Sequence, residues 1–251
     1  MAEFSPLVEE LHPAPDPEAA LVALSGLPHC LFLDSALKHR ELGRYSFLTA
    51  DPFDYLERPA DESDGLSTLA EKLTAWTSET VVGLPPFQGG AAGLLGYELG
   101  RSLERLPRPA FDEIQTPALA VGFYDVVVAF DHVEGRAWLI SQGLPETDPH
   151  PRRLRAERRL RQFRELIAGE VPRPFVAATA SPIPSGVLAP QFAVPGPAGL
   201  TSDFSRDGYL EAVRRAREYV YAGDVFQANL SQRLLFPAGE DAATLYLRLR
   251  D

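Results

Sequence analysis

The stretch TPALAVGFYDVVVAFDHVEGRAWLISQG, Thr116 to Gly143, decides the fold class. It reads as two strands around a polar turn at His132 to Gly135, hence a β-hairpin. Its first strand is almost wholly apolar, which is the pattern of a strand buried on both faces. Upstream, Leu21 to Leu56 reads as strands joined by polar turns, with Asp51-Pro52 marking one turn. GLSTLAEKLTAWTS, Gly65 to Ser78, has helical spacing at Leu69, Leu73 and Trp76, and Ser67 is the expected N-cap, with Glu71 nearby. Downstream, Arg152 to Ala168 is predicted helical, with Leu160, Phe163, Leu166 and Ile167 on one side and arginines around them.

Val171 to Leu200 holds seven prolines and little periodicity, the composition of an interdomain linker or a long ordered loop. FSRDGYLEAVRRAREYVYAGD restores helical order. Tyr209, Val213, Ala216 and Val220 share a face, Ser205 caps the start and Gly223 ends the helix. AGDVFQANLSQRLLF, Ala222 to Phe236, then alternates with period two. Phe226, Ala228, Leu230, Leu234 and Phe236 lie on one side, and Gln227, Asn229, Ser231 and Arg233 on the other, which predicts a strand. Asp241 to Arg250 opens another helix, with Leu245 and Leu249 at i, i+4.

Composition narrows the function. A net charge of −11 argues against a general nucleic-acid or anionic-membrane binder, since both partners are negative. The arginines between Arg152 and Arg164 permit a nucleic-acid reading, but no aromatic stacking platform accompanies them, and a solvated helix face is the simpler account. Cys30 is the one cysteine, so no intrachain disulfide forms. The acidic start lacks the basic and apolar runs of a secretory signal, and a cytoplasmic location is expected.

GGAAGLLG is not a dinucleotide-binding loop. Ala92 stands where that motif needs its middle glycine, and no helix opens after it. Close backbone packing is the expected role of Gly89, Gly90, Gly93 and Gly96. The histidines His12, His29, His39, His132 and His150 are scattered without metal-ligand spacing. Glu9-Glu10 and Asp61-Glu62 sit in polar stretches and are expected to be solvated. Local chemistry alone assembles no catalytic constellation.

Three segments together resemble the chorismate-utilising synthases, and within them component I of the aminodeoxychorismate (para-aminobenzoate) synthases. They are PFQGGAAGLLGYELGRSLERLP, TPALAVGFYDVVVAFDH and YLEAVRRAREYVYAGDVFQANLSQRL. Anthranilate synthase component I is the close competitor; Gly100 in YELGR and Asn229 in FQANLSQR resemble the aminodeoxychorismate branch. The resemblance implies amination of chorismate at C4 for folate biosynthesis. It also implies Mg²⁺ on the substrate carboxylate and ammonia from a glutamine amidotransferase partner, component II. The family's nucleophilic lysine lies in a P-I-K-G-T segment. This chain has two lysines, Lys38 and Lys72, and neither matches it. The catalytic half, with its metal-binding glutamates, is expected beyond Asp251, so no catalytic or metal residue is assigned here and the chain alone is expected to be inactive.

The same resemblance implies part of a tryptophan-like pocket. FLDS places Ser35 in one wall and LGRYS places Leu42, Gly43, Arg44, Tyr45 and Ser46 in another, while a third N-P-x-P wall would lie past Asp251. The bland alternative is that Ser35 and Tyr45 are ordinary sheet residues. Gln227 and Asn229 are expected beside the chorismate-binding core, in a supporting role. The implied fold is α+β, with mostly antiparallel sheets and packed helices, the N-terminal part of a layered β/α/α/β sandwich. The expected organisation is an N-terminal domain over 1–145, a basic helix and Pro-rich linker over 146–200, and the start of the chorismate-binding domain over 201–251. The competing reading is a non-catalytic module that binds an aromatic amino acid or a partner subunit.

Overall fold

The apolar run that opens the central hairpin divides at Asp125. In the computed structural model, which describes residues 4–37, 39–59, 64–169 and 188–250, that run is two strands in two sheets, where the sequence predicts one. The described residues group into two compact units. The first draws on Met1–Pro107, Thr116–Thr179 and Tyr246–Asp251, and the second on Arg108–Gln115 and Ala180–Leu245.

The first unit begins with β1 (Leu7–Glu10) and α1 (Pro17–Leu24). Leu21 to Leu24 are therefore helical and not part of a strand. The sequence reason lies just upstream: Asp16 caps the helix by accepting from the Glu18 and Ala19 backbone N–H groups, and Pro17 occupies the first turn. β2 (Leu31–Leu33), β3 (Tyr45–Thr49), β4 (Asp54–Arg58), α2 (Gly65–Ala75) and β5 (Gly90–Leu95) follow. Then come a 3₁₀ turn at Tyr97–Ser102, β6 (Leu119–Tyr124), β7 (Val126–Asp131), β8 (Arg136–Ser141) and α3 (Pro149–Ala168). One antiparallel sheet has the order β1-β8-β7-β3-β2 and another the order β4-β6-β5.

β7 is buried along its whole length, so alternation divides two apolar faces, not an apolar face from a polar one. Val126, Val128 and Phe130 join Leu48 and Leu139 under α1 and α3, where Leu24 and Phe163 fill the layer. Val127 and Ala129 join Trp138 and Ile140 on the opposite face, against Phe47, Leu84 and Phe87. A separate cluster of Leu56, Leu119, Val121 and Phe123 packs with Leu66, Leu69 and Trp76 of the α2 region. Leu73 stands 45% exposed, outside the face its spacing assigned. Ser67 is not the N-cap; Asp64 holds that position, and the Ser67 hydroxyl donates to its carbonyl.

Asp125 explains the break. Its carboxylate is fully buried and accepts from Arg155 Nε at 3.0 Å and Arg159 Nε at 3.3 Å. Arg159 also reaches Asp51 through Nη1 at 2.6 Å and the Asp51 carbonyl through Nη2 at 2.8 Å. The arginines of α3 are thus not all on a solvated face. Two of them neutralise a buried anion where the chain passes from one sheet to the other, because an unpaired buried carboxylate would be strongly unfavourable. The acids Glu9 and Glu10 are likewise engaged, with Arg164 and Arg136 at the surface. Asp61-Glu62 lies outside the described residues.

The glycine-rich segment forms strand β5, with no phosphate-type loop. A Cβ on Gly93 would stand 2.1 Å from the Ala120 carbonyl of neighbouring β6, so the ladder closes only over a residue without one.

The second unit holds β9 (Phe192–Ala193), β10 (Thr201–Ser202), α4 (Arg206–Ala222), β11 (Leu234–Leu235) and the start of α5 (Ala242–Arg250). Its three short strands have the order β11-β10-β9. The Ser205 hydroxyl caps α4 by accepting from Gly208, and Gly223 ends it in the left-handed conformation, as the sequence predicts. The long strand expected over 226–236 is not formed. Only Leu234 and Leu235 pair, with Ser202 and Thr201, because no strand among the described residues lies along the rest. Arg233 instead ties the unit together: its guanidinium pairs with Glu113, and its N–H donates to Asp203. Glu113 also accepts from Ala189 N–H, and these donors hold its carboxyl down at about 2. In α5 the predicted apolar pair is exposed, Leu245 at 47% and Leu249 at 77%. Leu247 packs into the first unit's core instead. Residues 170–187, which include most of the predicted linker, lie outside the described residues.

Candidate ligand-binding site

The end of β2 and the middle of β3 bring FLDS and LGRYS together. Leu33 pairs with Phe47, which sets the residues just after β2 beside Ser46. Ser46 is fully buried, and its hydroxyl has three partners. It lies 2.7 Å from Asp34 Oδ1, 2.7 Å from His132 Nε2 and 3.0 Å from the Ser35 backbone N–H. His132 reaches this point because β7 pairs with β3 and the His132 N–H donates to the Arg44 carbonyl.

Serine, histidine and aspartate in one cluster invite comparison with a nucleophilic triad, but the hydrogen-bond order excludes it. An ionised carboxylate only accepts, so the single hydroxyl proton of Ser46 goes to Asp34. His132 Nε2 must then donate to the serine oxygen, a tautomer assigned from the network. A nucleophilic serine needs the reverse, with the imidazole accepting its proton. The arrangement is a saturated polar anchor, suited to holding β2, β3 and the turn after β7 together and not to nucleophilic attack.

Asp34 is the hub. Its side chain is 3% exposed, and Oδ2 accepts from Tyr246 Oη at 2.6 Å and Arg250 Nε at 2.5 Å. Arg250 also pairs with Glu18. Burial pushes the Asp34 carboxyl upward, but the hydrogen bonds from Arg250, Tyr246 and Ser46 outweigh it and hold the group below the usual aspartate range. Burial, reinforced by the hydrogen bond to the Asp34 carboxylate and only partly offset by Arg250, pushes the Tyr246 hydroxyl up to about 12.

The remaining pocket residues divide. The Ser35 backbone belongs to the cluster through its N–H. Gly43 is buried, and a Cβ there would lie 1.7 Å from the Leu37 carbonyl, so its role in LGRYS is to let the loop close. Leu42 and Leu37 stand 85% and 75% exposed. Arg44 is committed to Asp131 and Glu134 and stacks over Tyr45. Tyr45 meets Phe47 with ring centroids 6.2 Å apart. In the second unit, Gln227 and Asn229 are exposed and hydrogen-bond each other at 3.2 Å. Of the lysines, Lys72 pairs with Asp54 and lies over the Trp76 ring, while Lys38 lies outside the described residues.

Sequence reasoning passed over Asp34, His132, Tyr246 and Arg250. Asp34 is legible in the sequence as the acid of FLDS, beside Ser35. The i, i+4 pair Tyr246 and Arg250 was hidden by reading α5 for its leucines. His132 is far from Ser46 in sequence and becomes its neighbour only through β3–β7 pairing. No grouping of three or more His, Cys, Asp or Glu side chains that could hold a metal ion occurs among the described residues. No helix among the described residues is long and apolar enough to cross a membrane.

A family profile described as chorismate binding enzyme matches residues 28–251, and the chain belongs to that family. Within it, anthranilate synthase component 1 of Thermus thermophilus is 36% identical over 187 residues, covering 74% of this chain and 36% of the relative. Anthranilate synthase component 1 of Streptomyces coelicolor is 33% identical over 253 residues, covering 98% and 46%. Aminodeoxychorismate synthase component 1 of Bacillus subtilis is 28% identical over 240 residues, covering 89% and 46%. The solved anthranilate synthase component I of Streptococcus pneumoniae TIGR4 superposes with a TM-score of 0.59 at 22% identity, over 85% of this chain and 46% of that one. That likeness supports the mixed fold of antiparallel sheets and packed helices. The chain spans about half the length of the relatives it matches, or less.

Proposed function

We propose that this chain is the N-terminal portion of a synthase that aminates chorismate. The observation that carries the proposal is the family match running through to residue 251. The product favoured by Gly100 and Asn229 is 4-amino-4-deoxychorismate, a folate precursor. Ammonia would come from a glutamine amidotransferase, the component II implied by relatives named component 1. Mg²⁺ and the nucleophilic lysine would be supplied by sequence that this chain does not contain. A second reading, anthranilate as product, is favoured by a specific observation: the Thermus and Streptomyces anthranilate synthases are 36% and 33% identical, against 28% for the Bacillus aminodeoxychorismate synthase.

The site around Ser46 would serve this enzyme as an amino-acid pocket. The Ser35 hydroxyl and neighbouring strand-edge backbone would meet the ligand, with Asp34, already paired with Arg250 and Tyr246, bracing the wall behind them. The test begins by reading the source gene across the codon for Asp251. The whole protein is then incubated with chorismate, ammonium and Mg²⁺, and products are separated by chromatography. Aminodeoxychorismate supports the first reading and anthranilate the second. Turnover of neither by the whole protein sinks both. Tryptophan titrated calorimetrically into the chain tests the pocket separately; no heat at millimolar ligand removes it.

A further inference from the structure

The last turn of α5 is held down mainly by polar contacts. Tyr246 and Arg250, at i, i+4, lie on one side of the helix, and Leu247 packs into the core beside them. The apolar part of the contact is small: Leu247, and the Tyr246 ring edge-on to Phe32 with centroids 6.2 Å apart. Leu245 and Leu249 are exposed. A helix of nine residues is marginal by itself in water, so the polar contacts decide whether it stays docked. Arg250 Nε and Tyr246 Oη both donate to Asp34, and Arg250 Nη1 donates to Glu18 of α1 at 2.5 Å. The same Asp34 carboxylate accepts from the Ser46 hydroxyl, which in turn accepts from the N–H of Ser35, the next residue along.

We infer that Asp34 is a latch coupling the docking of α5 to the order of the chain at Ser35: the segment is fixed while Arg250 is in place and loosens when the last turn of α5 is released. The physical cause is the desolvated carboxylate. Asp34 tolerates burial because Arg250 neutralises it while Tyr246 and Ser46 fill its remaining lone pairs. Without the guanidinium an uncompensated anion does not stay inside; it turns toward water. Ser46 then loses the acceptor of its proton. Ser35, joined to Asp34 along the backbone and to Ser46 through its N–H, moves with it. The coupling runs in the other direction too, since it is one free energy shared by two sites. An amino acid held at Ser35 would therefore favour the docked α5, a consequence that rests on the pocket proposed above. The latch itself rests only on the contacts of Asp34.

The test is hydrogen exchange on the whole chain, read residue by residue by NMR. Arg250→Met keeps an extended side chain and removes the guanidinium. It is expected to lower protection of the Ser35 N–H about tenfold, the scale of coupling within one hydrogen-bond network. Ser46→Ala, read at the other end, should lower protection of the Tyr246 and Leu247 N–H groups by a similar factor. Amides of β7 and β8 monitor overall stability, and the two effects are those that remain after any change seen there. Arg250→Lys keeps the charge but not the fork that spans Asp34 and Glu18, so at Ser35 it should fall between the parent and Arg250→Met. It also carries the test if Arg250→Met does not fold. Unchanged protection at Ser35 in the Arg250 variants overturns the inference. So does an α5 that loosens no more than β7 and β8 in Ser46→Ala. Tryptophan titrated into the same variants separates the latch from the pocket. Weaker binding by the Arg250 variant supports both, and equal binding by parent and variant overturns the coupling. No heat from either, with the exchange changes present, supports the latch and removes the pocket.

Discussion

Replacing Asp125 by asparagine tests whether the carboxylate between the two sheets is the reason the apolar run divides. The perturbation removes one negative charge at constant shape, leaving Arg155 and Arg159 facing a neutral amide. Breaking a buried ion pair from one side costs roughly 3–5 kcal/mol. Two features place this case at the lower end. Arg159 keeps its 2.6 Å contact with Asp51 and its bond to the Asp51 carbonyl, and Arg155 keeps the Leu144 carbonyl. The expected loss is therefore about 3 kcal/mol, on the order of a hundredfold in the folding constant. With a urea slope of about 2 kcal/mol per molar, the midpoint falls by about 1.5 M. Tryptophan fluorescence reads it, because Trp76 and Trp138 both pack in the first unit. The triple change Asp125→Leu/Arg155→Met/Arg159→Met should be less destabilised than Asp125→Asn alone, since no charge is left uncompensated. A shift under about 0.5 kcal/mol for Asp125→Asn, or a triple variant worse than the single, would refute the reasoning.

Further outcomes follow from the same geometry. Gly93→Ala should cost roughly 1–3 kcal/mol through overpacking against the Ala120 carbonyl, with the earliest loss of exchange protection at β5; uniform loss across the unit would contradict a local clash. Ser46→Ala removes the acceptor of the Ser35 N–H and of His132 Nε2, an expected cost of about 1–3 kcal/mol in thermal unfolding, and no change would show the anchor to be dispensable. For Glu113, a carboxyl held down at about 2 contributes stability that is present above the ordinary glutamate value of 4.5 and lost as pH falls through 2. Glu113→Gln should flatten the second unit's acid response between those values, followed by exchange at Ala189 and Arg233.

The site was only partly legible in the sequence, for reasons its residues make plain. Ser35 and Ser46 came from local segments that stay adjacent in the fold. Arg44 came from the same segment, but a side chain's partner is not a sequence property, and Asp131 claims it from the turn-side end of β7. Gln227 and Asn229 came from a period-two pattern that is genuine, yet a strand forms only where another strand supplies the ladder.

What the sequence determined by itself is local and periodic. The caps at Ser205 and Gly223, the β7–β8 hairpin and the helices α2, α3 and α4 follow from short-range chemistry that a few neighbouring residues complete. Tertiary structure decided what distant residues complete together. It split one apolar run at Asp125, because two arginines about thirty positions later neutralise that carboxylate. It also turned Tyr246 and Arg250 toward Asp34, more than two hundred positions away. A buried charge needs a partner wherever in the chain that partner lies, and no local pattern records which one it will be.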